Sequence, residues 1–166
     1  MTHLPTRLTP ALALALSLTL CAGPAWPGTA EVHFLQPERF VDAGRGRDAE
    51  QVQATLAQHL QALAARHLPA SQTLTVDFTD IDLAGNLRQA SRTGQEVRVL
   101  RGGADWPRLA LHYALSDNGQ LIASGDENLA DMAYLQHATA LRTQTALPYE
   151  TRLLSAWFEQ RFAGRR

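Results

Sequence analysis

The sequence predicts an α+β domain: a mostly antiparallel sheet of four to five strands, with two amphipathic helices packed on one face. Three stretches carry this expectation. In Arg108 to Ser124, Leu109, Leu111, Tyr113 and Leu115 alternate with Arg108, Ala110, His112 and Ala114. That is the period of a strand with one buried face. Asn118-Gly119 follows, a pair that tolerates positive φ at both central positions of a tight hairpin turn, so Gln120 to Ser124 reads as the return strand. Asp48 to Leu68 is the second stretch, with Val52, Leu56, Leu60, Leu63 and Ala64 at helical steps on one stripe. The third is the C-terminal stretch after Pro148, where Leu153, Leu154, Trp157, Phe158 and Phe162 form an apolar helical face.

The length of 166 residues allows one domain. A formal charge of −1 gives no electrostatic reason to expect nucleic acid or an anionic membrane as partner. All 15 basic residues are Arg, which excludes Schiff-base chemistry and a phosphate-gripping lysine. The single cysteine, Cys21, falls in an N-terminal leader, so the remaining chain has no disulfide, thiolate nucleophile or cysteine-based zinc site.

Met1 to Ala30 reads as that leader, a secretory signal peptide, with residues 31–166 as the single α+β domain. Arg7 supplies the positive start and Leu8 to Leu20 the apolar run. Small residues place the cut between Ala25 and Ala30: Gly28-Thr29-Ala30 favours cleavage before Glu31, and Gly23-Pro24-Ala25 is the second site. The apolar run is too short for a comfortable membrane span, and no transmembrane span is expected in the mature chain. Leu20 stands before Cys21 where a lipoprotein signal needs a small residue, so lipid anchoring at Cys21 is not expected.

In order, Glu31 to Phe34 reads as a first strand and Ala43 to Asp48 as a glycine-containing loop. Gly44-Arg45-Gly46 lacks the third glycine of a dinucleotide fingerprint. Asp48 suits the N-cap of the first helix, and Pro69 ends it. Thr73 to Thr79 alternates as a strand, and its phase slips at Asp80, as an inserted bulge residue would cause. Ala84-Gly85-Asn86 reads as a turn, Gln89 to Gln95 as a polar loop, and Glu96 to Leu100 as a short strand. Gly125 to Leu129 is a turn or a strand extension. Ala130 to Leu141 is ambiguous between helix and coil, with Met132, Leu135 and Tyr134 as candidate anchors; Thr143 to Leu147 is a loop, and Gly164 to Arg166 a frayed end.

Two groups of residues are candidate sites. The first is a binding surface of Arg101, Trp106, Arg108 and His112, where an aromatic ring lies between two guanidinium groups in sequence; the competing reading makes Trp106 a plug at the end of the sheet. The second is an acidic group, Asp77, Asp80 and Asp82, whose carboxylates suit calcium or acid/base work, or are simply solvated on the outer sheet face. The histidines show no HxxxH or HExxH spacing, and no serine stands in a G-x-S-x-G elbow. No catalytic residue, cofactor or metal ligand is therefore assigned.

Val76-Asp77-Phe78-Thr79-Asp80-Ile81-Asp82-Leu83-Ala84-Gly85, Trp106-Pro107-Arg108 and Leu129-Ala130-Asp131-Met132 together resemble an uncharacterised family of secreted bacterial proteins, domain of unknown function 3016. The resemblance extends over essentially the whole chain after the leader. It implies export to the periplasm of a Gram-negative bacterium and carries no activity or site residue. The expected function is a non-enzymatic binding or interaction module of the cell envelope, with an envelope protein or small ligand as partner. The alternative is a metal-dependent or acid/base hydrolase using an Asp/His cluster.

Overall fold

A computed structural model describes residues 27–90, 95–140 and 146–163. Most of the leader, the centre of the Gln89–Gln95 loop, Leu141, most of the Thr143–Leu147 loop and the frayed end lie outside these residues.

Four strands form the main sheet in the order β1-β2-β5-β6: β1 Thr29–Phe34, β2 Gln72–Asp82, β5 Arg108–Asp117 and β6 Gln120–Ala130. β1 runs parallel to β2 and is joined to it by helix α1, Arg47–His67. The other two pairings are antiparallel. The remaining strands, β3 Asn86–Gln89 and β4 Glu96–Val99, make a separate two-stranded ribbon. The architecture is the expected α+β fold, with the ribbon as an addition to it.

The inner sheet face carries Leu74, Val76, Phe78 and Ile81 from β2 and Leu109, Leu111, Tyr113 and Leu115 from β5, all buried in one core. The stripe of α1 and the face of helix α2, Pro148–Phe158, close that core. α2 continues as a single π-helical turn, Glu159–Ala163, which delivers Phe162 to the core as well. The phase slip in β2 is a bulge: register shifts between Phe78 and Asp80, and Ile81 returns to the core. At the hairpin turn, Asn118 has φ 49° and Gly119 φ 80°, the two positive values that a type I′ turn demands.

The structure corrects four local expectations. Gly46, at φ 54°, occupies the N-cap of α1, and Asp48 lies within the first turn, where its charge favours the helix dipole. Asn86 to Gln89 is the strand β3 rather than the end of a turn, and Glu96 to Val99 pairs with it rather than with the main sheet. β3 is exposed along its whole length, so no buried face left an apolar alternation there to read. Met132 is 73% exposed, while Tyr134 is fully buried in a 3-10 turn, Tyr134–Ala140. Among the three candidate anchors, the one with a hydroxyl that finds a partner takes the interior. The segment Gly125 to Leu129 continues β6.

The two helices are tied by a hydrogen bond of 2.8 Å between His59 Nε2 and Ser155 Oγ; Ser155 donates its own proton to the Thr151 carbonyl. Burial lowers the His59 pKa from its ordinary value, a shift opposed by the Thr151 backbone and reinforced by the Arg66 charge. The unfolded chain therefore takes up this proton at a higher pH than the folded one. Stability from this group is complete above the ordinary histidine pKa and is lost as pH falls below it towards the folded value. Thermal melts of the protein and of His59→Gln across pH 5 to 8 should show a steeper acid-side loss in the natural chain. Parallel curves would refute the assignment.

Candidate functional site

The face of the main sheet opposite the helices is built by alternation. On β5, Arg108, Ala110, His112, Ala114 and Ser116 point away from the core because their neighbours point into it. Register then selects their company. Asp77 of β2 lies opposite His112, His33 of β1 opposite Asp77, and Asp126 of β6 opposite His112. The result is an in-register row, His33–Asp77–His112–Asp126, crossing all four strands. One row over, Glu31, Thr75, Ala114 and Ser124 stand side by side. Thr75, Ala114 and Ser124 put small side chains beside the ionisable row.

Within the row, His112 Nδ1 lies 2.8 Å from Asp126 Oδ1, so the carboxylate fixes the imidazole. The Asp126 side chain is 85% exposed, and this pair faces solvent. At the β3–β4 end of the same face, Arg108 Nη1 donates to Asp82 Oδ2 at 3.4 Å, and its guanidinium lies 4.8 Å from the centre of the Trp106 ring. Trp106 is half-buried. Its ring carries the Arg108 cation.

The structure thus joins Trp106 to Arg108 and places His112 on the same strand face. Arg101 is exposed and enters the surrounding network through its backbone N–H, which donates to Asp105 Oδ2 at 2.7 Å. The three acidic residues take separate positions. Asp77 belongs to the histidine row. Asp80 Oδ1 accepts the backbone N–H of Val41 and of Ile81, each at 2.9 Å, and so fastens the bulge. Asp82 pairs with Arg108; burial raises its carboxyl pKa, opposed by Arg108 and assisted by Asp42 and Asp80. Among the described residues, no group of three or more His, Cys, Asp or Glu is placed to hold a metal ion.

Three polar centres escaped the sequence reading. Asp105 is buried; besides the Arg101 N–H, its Oδ1 accepts the Tyr134 hydroxyl at 3.0 Å. The Arg101 amide holds the Asp105 carboxyl below its ordinary pKa, whereas burial raises that of Tyr134. Arg98 grips Asp42 with both terminal nitrogens, at 2.8 and 3.0 Å, and also donates to the carbonyls of Ala84 and Gly85. This fork clamps the ribbon to the segment before α1. Glu150, 2% exposed, accepts the Ala84 N–H at 2.8 Å beside a cavity of about 290 Å³, and burial raises its pKa. The Asp105–Tyr134, Arg98–Asp42 and Glu150–Ala84 contacts join residues far apart in sequence, and no local spacing signals them.

Among the described residues, no helix is long and apolar enough to cross a membrane. The family model described as "Protein of unknown function (DUF3016)" matches residues 28–160. No curated protein and no solved structure matches the chain.

Proposed function

The chain belongs to the DUF3016 family of proteins of unknown function, and from that premise we propose that it is an exported periplasmic module that binds a partner on the open face of its sheet. The observation that carries this reading is the row His33–Asp77–His112–Asp126, laid across four strands on the side away from both helices. A sheet face that only had to meet water needs no such register of donors and acceptors. Its chemistry also describes the partner. Glu31, Asp77, Asp82 and Asp126 outnumber Arg108 in fixed charge on this face, which disfavours anionic polymers. Thr75, Ser124 and Asn128 offer hydrogen bonds, which suit an extended, uncharged or amine-bearing chain from the cell envelope.

The test is site-specific photo-crosslinking in cells. A crosslinker at Ala114, in the middle of the face, should capture a discrete partner; one at the exposed Gln58 of α1 should not. His112→Ala should weaken capture by roughly tenfold, about the effect of losing one charge-assisted hydrogen bond. Equal labelling from both positions would sink the reading.

A second reading is favoured by the His112–Asp126 pair, since a carboxylate-oriented imidazole is the arrangement of a general base. It makes the chain an acid/base hydrolase with Asp77 as the second carboxylate. Hydrolysis of envelope material by the purified protein, abolished in His112→Ala, would establish it over simple binding.

A further inference from the structure

We infer that the leader is removed at the Ala25–Trp26 bond, so that the exported chain begins at Trp26 rather than Glu31; this rests on the export reading above. The residues that a cut before Glu31 would discard are part of the fold. Gly28 is buried, and a Cβ there would come within 2.6 Å of the Leu68 Cβ and 2.7 Å of the Pro69 carbonyl, so only glycine lies this close to the end of α1. Its N–H donates to the Leu68 carbonyl at 3.2 Å. Thr29 pairs in register with Thr73, their hydroxyls 3.1 Å apart, and Ala30 pairs with Leu74 and belongs to the core.

Cleavage before Glu31 would remove two of the six residues of β1 and leave an ammonium group where the strand has a peptide bond. The Ala25–Trp26 bond lies N-terminal to every one of these contacts. Gly23 and Ala25 supply the small side chains at −3 and −1 that a leader peptidase reads. The match to the family begins at residue 28, so the contacts fall within the shared domain. The reaction is ordinary hydrolysis: water adds to the Ala25 carbonyl, the leader leaves with a carboxylate, and the chain keeps the Trp26 amine.

The experiment is intact-mass analysis of the full-length chain expressed with its own leader in a Gram-negative host. Periplasmic protein beginning at Trp26 is expected, and Ala25→Leu should accumulate as uncut precursor. Periplasmic protein beginning at Glu31, or normal processing of Ala25→Leu, would overturn the inference while leaving export intact. Full-length chain confined to the cytoplasm would overturn both. A chain produced directly from Glu31 should melt at a lower temperature than one produced from Trp26; equal melting would remove the structural argument.

Discussion

Phe158→Ala should cost the domain about 3–5 kcal/mol, the range for emptying a large aromatic site in a close-packed core. Phe158 is fully buried, and its ring centre lies 5.0 Å from Phe162, 5.8 Å from His67 and 6.4 Å from Trp157. It thus touches the end of α1, its own helix and the π-helical turn at once. Removing it opens a cavity that none of these rigid elements can close. Urea unfolding followed by tryptophan fluorescence would measure the loss. Phe158→Leu, which keeps most of the volume, should lose less than half as much; equal losses would mean that ring packing is not what holds this corner.

Asp105→Ala should be the next most damaging change, because it strands the buried Tyr134 hydroxyl rather than merely deleting a bond. The Arg101 N–H and the Tyr134 hydroxyl both lose their acceptor, and Tyr134 has no access to water. Tyr134 in turn accepts the Gly102 N–H at 3.3 Å and meets Tyr149 edge-on at 5.0 Å, so the loop before β5 and the start of α2 should loosen together. Amide exchange would detect this as faster opening of residues 101–106 with β2 unchanged. Asp105→Asn keeps one acceptor oxygen and should restore part of the stability. No difference between the Ala and Asn variants would show that the carboxylate is not the organising group.

These two sites differ in how far the sequence exposes them. Phe158 stands on a helical stripe that is plain from spacing, as do Leu56 and Leu60 on α1 and the Leu109–Leu115 alternation on β5. One-sided burial imposes a period, and a period can be read. Asp105 and Tyr134 show no period, because their partnership closes a loop through space. The histidine row has the same character. Asp77 and His112 were separately noticeable, but the addition of His33 depends on a parallel strand pairing, and that of Asp126 on the length of the hairpin. Arg98 was hidden because the ribbon it anchors has no buried face.

The parallel pairing of β1 with β2 has a kinetic meaning. β1 is the first strand to be made, yet its neighbour in the sheet lies beyond the whole of α1, and β2 in turn needs β5 on its other side. Within the main sheet, the pairing that forms locally is the β5–β6 hairpin, in the second half of the chain. Non-local pairings carry the larger loop-closure penalty and form late. A polypeptide threaded N-terminus first through a narrow channel would therefore remain without a complete sheet until Ala130 had emerged. The edge strand made first is thus among the last to take its place in a finished sheet.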